Sequence, residues 1–423
     1  MLYLIVGGSL VIINRNVDLK ISLKEAFIIT VLSWLLMTFL CSIPFLYTEV
    51  NLGIIDALFE SMSGITTTGS TILSNIETLP KGILIWRAFL QWLGGIGIVV
   101  LALFILPFLR IGGMQLFHLE GDDPYDKSFP KISSVIKKIF IIYISLTTIL
   151  IFLYYIFGMR FFDAISHSFT TISTGGFSTY DSSFKFLNNK IQIITIIFMI
   201  IGSLPFLVIV QTSYKNLFAI YKDHQIRVFI LLLFSAIILI FYFANSYING
   251  NYLDKLVSVS FNTISIISGT GYVSENFENW GNYASVLFLI LMFIGGCAGS
   301  TTGGLKVFRF QILLKYMLIH LKKMLQPHAI IASYFNNKKI EDSTYESVMS
   351  FFFIYILTFA ISALLLSFSG LDFLTCISAS ASAVSNVGPG LGDIIGPDGN
   401  FSSLSSYSKS ILIITMFLGR LEM

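Results

Sequence analysis

Long apolar runs alternate with short polar blocks along this chain, and the alternation has a period. The runs 26–47, 83–109, 133–157, 191–214, 226–244, 284–298 and 348–368 are nearly free of charge, and most have the ~20 residues of a membrane-crossing helix. Inside each successive pair of runs sits a block that opens with aspartate, continues for three or four turns in small, aromatic and hydroxyl residues, and breaks at glycine. The blocks run from Asp56 to Thr68-Gly69, Asp163 to Thr174-Gly175, Asp254 to Thr270-Gly271 and Asp372 to Val387-Gly388. Their glycines lie 106, 96 and 117 residues apart. The end runs 2–13 and 410–421 are too short to cross a hydrocarbon core of ~30 Å, and the first lacks the basic region and cleavage site of a signal peptide. Both ends read as partial helices of a truncated chain.

Each unit therefore predicts an apolar helix, a short re-entrant segment and a second apolar helix. Aspartate at the start of the segment favours a helix through its positive dipole end. The glycine break aims the carbonyl-rich end at the middle of the membrane, where it favours a cation. Backbone lacking internal hydrogen bonds is tolerated at that depth only when buried in protein or lining a water-filled cavity. Four such segments buried together meet this condition. The expected fold is an all-α polytopic membrane protein with four helix–pore loop–helix repeats in a pseudo-fourfold arrangement around one pore. Its parts are a partial N-terminal helix and cytoplasmic linker at 1–25, repeat one at 26–110, and repeat two with its preceding cytoplasmic loop at 111–222. Repeat three, with an intramembrane interruption, spans 223–340, and repeat four spans 341–423, its last helix incomplete.

Composition supports the membrane assignment and charge orients it. Only 12% of the 423 residues are charged, 55% are hydrophobic, and the mean hydropathy is +0.83; soluble domains carry about 25% charged residues. The three cysteines (Cys41, Cys297, Cys376) lie in apolar sequence and define no disulfide framework, and the five histidines form no metal-ligand pattern, so a metal-dependent enzyme has no foothold. Of 26 Lys and Arg residues, 18 fall in 14–25, 110–138, 214–227 and 305–339. By the positive-inside tendency these segments face the cytoplasm, and the aspartate-led blocks enter from the outside.

Glycine dyads supply what a dehydrated cation needs. Backbone carbonyls replace a hydration shell when successive residues turn toward one axis, a shape that calls for positive φ, which glycine adopts at no steric cost. Thr66, Thr67, Thr68, Ser173, Thr174 and Thr270 add hydroxyl oxygens or brace the loops. Any one block also reads as an ordinary Ser/Thr-Gly loop; four at equivalent places do not. No carboxylate sits within the dyads, which argues against a divalent-selective ring and favours a monovalent cation, K+ or Na+.

The stretches FESMSGITTTGST (59–71), QWLGGIGIVVLALFILP (91–107), GGMQLF (112–117), HSFTTISTGGFST (167–179), GGCAGSTTGGLKVFR (295–309), SNVGPGLG (385–392) and FLGRLE (417–422) resemble the membrane subunit of Trk/Ktr-type potassium transporters of the TrkH kind, over essentially the whole chain. The resemblance implies K+ uptake across the bacterial cytoplasmic membrane, with K+ as the transported ion and no covalently bound cofactor. It also implies one selectivity filter per protomer, a homodimer in membrane lipid, and a cytosolic ring of TrkA-like nucleotide-binding regulatory subunits; no nucleic-acid partner is expected. Carried over by position, the K+-binding filter is Thr67, Thr68 and Gly69; Ser173, Thr174 and Gly175; Gly269, Thr270 and Gly271; and Asn386, Val387 and Gly388. The resemblance associates Gly69 with K+ preference. GSLPFLVIVQ (202–211) and Val387-Gly388-Pro389 depart from the family's pattern.

Two further features bear on control. Gly295, Gly296, Gly299, Ser300, Thr301, Thr302, Gly303, Gly304 and Lys306 interrupt an apolar helix, and glycine at this density opposes helix by ~1 kcal/mol per residue relative to alanine. Such a loop reads as a movable gate, where the family's intramembrane gating loop also lies, or as a kink for close helix packing. A phosphate-binding loop is excluded because Leu305 separates the glycines from Lys306. Arg420, near the end of an apolar run, reads as a cationic barrier below the filter, the role the family's matching arginine suggests, or as a snorkelling anchor. Positive-inside anchoring alone would also place Lys306.

Rival classes remain weighable from sequence. Tyr180-Asp181 with Gly390-Leu-Gly-Asp393 matches the paired signatures of intramembrane aspartyl proteases, but both aspartates follow a pore glycine instead of facing each other on helices. A Na+ or Na+-coupled transporter with inverted repeats would also use broken helices, yet these repeats share one orientation. A scaffold gives no reason for four glycine breaks. The basic stretch 306–339 serves either positive-inside charge or docking of a regulatory ring, and the loop 118–131 is a second candidate contact.

Overall fold

The computed structural model describes residues 7–9, 12–13, 22–48, 50–105, 129–214, 219–248, 250–328, 333–336 and 338–421. Much of the N-terminal partial helix, all of GGMQLF and nearly all of the 118–131 loop lie outside these residues. What is described is mostly helical, with a single two-stranded hairpin (β1, Tyr334–Phe335; β2, Lys338–Lys339).

In chain order, α1 (Leu23–Tyr47), α2 (Ile54–Ile65) and α3 (Lys81–Val100) form the first unit. A capping box starts α1: Glu25 N donates to Ser22 Oγ at 3.3 Å and Ser22 N to the Glu25 carboxylate at 2.8 Å, filling two of the orphan donors of a helix start. The second unit is α4 (Phe129–Ile156), α5 (Phe161–Ile172), α6 (Asn189–Gly202) and α7 (Phe206–Tyr214). After the short turn α8 (Ala219–Lys222), the third is α9 (His224–Ala244), α10 (Tyr252–Ile267), α11 (Asn282–Met292) and α12 (Val307–Leu325). The fourth is α13 (Asp342–Ser367), α14 (Phe373–Ser385) and α15 (Ser406–Arg420).

Among the described residues, 27–47, 81–103, 134–156, 224–244 and 342–367 are helices long and apolar enough to cross a membrane, as expected of a multi-pass membrane protein. The run 191–214 is not one straight helix. Pro205, which cannot donate a helical hydrogen bond, follows Gly202, and α6 and α7 meet there at 98°. The run 284–298 stops being helical at Met292.

Packing inverts the pattern of a soluble core. Leu32, Phe152, Leu231 and Phe353 on the long helices are exposed, whereas Ser61, Ser63, Thr170, Thr171, Thr263, Ser265, Ser380 and Ser382 on the short helices are buried. Apolar side chains facing outward over a polar centre suit surroundings as apolar as leucine. The short helices α2, α5, α10 and α14 each pack between the helices that flank them in sequence. Each also meets the second helix of the preceding unit: α5 on α3, α10 on α6, α14 on α11, and α2 on α15.

Candidate ion-permeation site

The four short helices begin with acid and end alike. Asp56, Asp163 and Asp254 lie in the first turns of α2, α5 and α10, and Asp372 caps α14 by accepting from Thr375 N at 3.1 Å. Side chains elsewhere hold these acids: Lys409 donates to Asp56 at 2.8 Å, and Arg160 to Asp163 at 2.7 Å. At the other end, Thr68 N donates to Ser63 O, Gly175 N to Thr170 O, Thr270 N to Ser265 O and Val387 N to Ser382 O, all at 2.8–3.0 Å. This six-to-one closure is the Schellman ending of a helix, and it requires a left-handed residue just before the donor. Thr67 (φ 53°), Thr174 (50°), Gly269 (67°) and Asn386 (54°) are that residue. Two positions on, Gly69 (88°), Gly176 (84°), Gly271 (78°) and Gly388 (111°) are left-handed again.

This register corrects one alignment. By sequence, Ser173-Thr174-Gly175 stands beside Thr67-Thr68-Gly69; by hydrogen bonding, the equivalent segment is Thr174-Gly175-Gly176. Ser173 is the last residue of the helical turn, in the place of Thr66 and Ser268. The other three segments keep the register read from sequence.

The four left-handed glycines touch one another's strands in a closed cycle. A Cβ added to Gly69 would collide with the Gly175 carbonyl oxygen, one on Gly176 with that of Thr270, one on Gly271 with that of Val387, and one on Gly388 with that of Thr68, at 2.8 Å. Left-handed backbone at alternate residues turns consecutive carbonyls to one side, and a side chain at any of the four glycines would occupy the space the neighbouring carbonyl points into. One cavity of about 80 Å³ reaches all four glycines together with Thr71, Arg87, Phe177, Tyr180 and Asp181.

Buried side chains brace the strands. Gln91 on α3 donates to Gly175 O at 2.6 Å and accepts from Phe177 N at 3.0 Å. Asn386 Nδ2 donates to Thr68 Oγ1 at 2.9 Å, and Ser70 Oγ to Gly388 O at 2.8 Å. Arg87 Nε donates to Glu60 at 2.7 Å, with both side chains buried. Glu60 also accepts from Thr71 Oγ1 and Ile72 N, while Arg87 reaches Ser178 O at 3.3 Å and covers the Phe177 ring. Glu60, a second acid one turn beyond Asp56 in 54–65, and Arg87, the lone charge of the apolar segment 83–100, were the sequence signal for this pair; Gln91 stood equally alone.

The interruption after α11 folds into a pinched loop. Gly295 N donates to Leu305 O and Leu305 N to Phe293 O, closing its neck. Its tip enters the second unit's break: Cys297 N donates to Ser203 O, Thr301 N to Gly202 O and Phe206 N to Gly299 O. Thr174 Oγ1 donates to Thr301 Oγ1 at 3.1 Å, and a Cβ at Gly303 would strike Ser385 O. The loop thus abuts the helix ends of the second and fourth units. Lys306 Nζ donates to Thr302 O and to its Oγ1, and buried Arg420 donates to Thr301 O at 3.1 Å. A side chain buried on the loop is not reaching for a membrane surface, so the snorkelling account of Arg420 does not describe this structure.

Acidic groups gather around the cavity mouth. Burial and the neighbouring Glu77 carboxylate raise Asp181 above the usual carboxylate range. Burial likewise raises Glu278, with Asp393 and Asp398 adding repulsion, against a hydrogen bond from Gly392 N. Asp181 therefore sits with Glu77, whereas Asp393 neighbours Glu278, and both aspartates lie in turns. No facing helix pair carries the two, as an aspartyl protease dyad requires. In the basic stretch, α12 runs to Leu325, and Asn336 joins the stretch to the start of α9 by donating to Asp223 at 2.9 Å.

A family model for TrkH, described as a cation transport protein, matches residues 1–423. The Trk system potassium uptake protein TrkI of Halomonas elongata is 40% identical over 408 residues, 96% of this chain and 83% of that protein. The corresponding TrkH of Escherichia coli is 37% identical, over 99% of this chain and 87% of its own length. Among solved structures, the potassium transporter TrkH from Vibrio parahaemolyticus superimposes with a TM-score of 0.86 at 34% identity, covering 95% of this chain and 84% of that one.

Proposed function

Because this chain belongs to the TrkH family of cation transport proteins, we propose that it takes up potassium ions through one pore, lined by four pore loops in pseudo-fourfold order and narrowest at the strands 67–69, 174–176, 269–271 and 386–388. The observation that carries this reading is the closed cycle of carbonyls 68, 175, 270 and 387 against glycines 69, 176, 271 and 388. Ligand oxygens at this position belong to the backbone, so Val387 serves as well as a threonine, and its departure from the other blocks does not weaken the ring. Backbone carbonyls without carboxylates suit a dehydrated monovalent cation, which is K+ in the relatives' names. The loop 293–306 is the gate, held shut by its contacts with the second unit's break, and Arg420 is the cationic brake beneath the filter. By the charge distribution the blocks enter from the outer face of a bacterial inner membrane. A homodimer and a nucleotide-binding regulatory ring at the basic cytoplasmic stretch complete the assembly.

The test is uptake of radioactive Rb+ into vesicles carrying the purified protein, competed by K+ and by Na+, and repeated on Gly69→Ser. Competition by K+ far exceeding Na+, lost on the substitution, is the expected result. Equal competition by both ions in the unaltered protein would sink K+ selectivity, and absence of uptake would sink the pore.

A further inference from the structure

We infer that Gln91 is a positioning and specificity-determining residue of the ring, standing in for the side chain that Gly175 lacks. This rests on the pore reading above. At the equivalent place the other strands carry Thr68, Thr270 and Val387, each with a buried side chain. The two threonines are tied locally, Thr68 to Thr66 Oγ1 and Thr270 to Ser268 Oγ, both at 2.7 Å. Gly175 has no left-handed φ to explain it. Its explanation is space: a Cβ there would run into the amide of Gln91.

That amide does two things for the strand. Phe177 N can only donate and the Gly175 carbonyl can only accept, so the orientation of the Gln91 amide follows from its partners. Oε1 takes the Phe177 N–H at 3.0 Å and Nε2 gives a proton to Gly175 O at 2.6 Å. The two bonds straddle Gly176, the left-handed residue that faces Thr270 O. Gly175 O is also the oxygen that faces Gly69 across the ring. Among the described residues it alone of the four carbonyls at this level accepts a side-chain hydrogen bond. One lone pair is thereby engaged and the oxygen is held in place, while the other lone pair stays available. Number, field strength and spacing of carbonyl dipoles decide which monovalent cation a ring prefers. A fixed, partly neutralised carbonyl keeps the second strand from closing onto a smaller ion.

Gln91→Leu conserves bulk, strands the buried Phe177 N–H and frees Gly175 O. The expected result is a fall of about tenfold in the ratio of K+ to Na+ competition against Rb+ uptake, the weight of one neutral hydrogen bond. A side chain that merely fills space would change the amount of folded protein and leave that ratio alone, so an unchanged ratio overturns the inference. Gly175→Thr gives the decision where Gln91→Leu fails to fold. Alone it collides with Gln91 and should abolish uptake; combined with Gln91→Ala it gives the second strand the residue of the first, and uptake should return. No recovery in the double variant also overturns the inference. Unaltered protein that takes up no Rb+ would instead overturn the pore reading.

Discussion

Two adjacent glycines, 175 and 176, do different work at the scale of single residues. Gly176 is glycine because of φ, at 84° and pressed against the Thr270 carbonyl; Gly175 is glycine because Gln91 occupies its side-chain space. Left-handed backbone forced on a residue with a Cβ costs ~1–3 kcal/mol, and here a collision is added. Gly176→Ala should therefore reduce Rb+ uptake to about a tenth or less, as severely as Gly69→Ala. Uptake by Gly176→Ala matching the unaltered protein would show that the ring tolerates a side chain at this level and that the register matters less than the hydrogen bonds imply. From sequence, both glycines were visible as a pair, but nothing local distinguished them. The difference lies in a contact 84 residues away, between Gly175 and Gln91.

At the scale of elements, two broken helices interlock. The glycine-rich loop after α11 was legible because few chains can keep such a stretch helical. The break between α6 and α7 was visible only as a departure at Gly202-Ser-Leu-Pro205, yet its free carbonyls at 202 and 203 are what the loop's N–H groups of Thr301 and Cys297 use. Each break satisfies the other, which is how backbone without helical hydrogen bonds survives at this depth. Arg420 adds a third element by donating from α15 to Thr301 O. Shortening the loop by removal of residues 298–303 should raise the maximal rate of Rb+ uptake, and Arg420→Ala should raise it too, by removing both a positive charge and a loop contact. Unchanged flux in the shortened protein would leave the loop as a packing kink. A fall in Arg420→Ala with normal amounts of folded protein would give the arginine a structural role instead.

At the scale of the whole molecule, the units are joined in a cycle. Each short helix leans on the helix that follows the short helix of the unit before it, and α2 of the first unit leans on α15 of the fourth. The Glu60–Arg87 pair ties the strand after the first block to the strand after the second, through Thr71, Ile72 and Ser178. Removing one partner of a buried ion pair leaves an uncompensated charge and costs ~3–5 kcal/mol. Glu60→Ala should lower the melting temperature in detergent markedly, whereas the joint replacement Glu60→Leu with Arg87→Met should lose much less. Equal melting of all three proteins would mean the pair carries neither stability nor the join between units.

Sequence alone determined the membrane class, the number of polar blocks, their aspartate starts and their glycine ends, because these are written in composition and in a period that local rules convert into helices and breaks. It also marked the four segments that close the short helices, with the second displaced by one, since a helix ending is fixed by which carbonyl its last N–H groups find and Ser-Thr-Gly-Gly permits two choices. Only the tertiary structure decided which carbonyl each glycine faces, that Gln91 replaces a missing side chain, that Glu60 and Arg87 meet, and that Arg420 turns to Thr301. Those are contacts between segments tens to hundreds of residues apart, and no periodicity within a segment encodes the partner that packing brings to it.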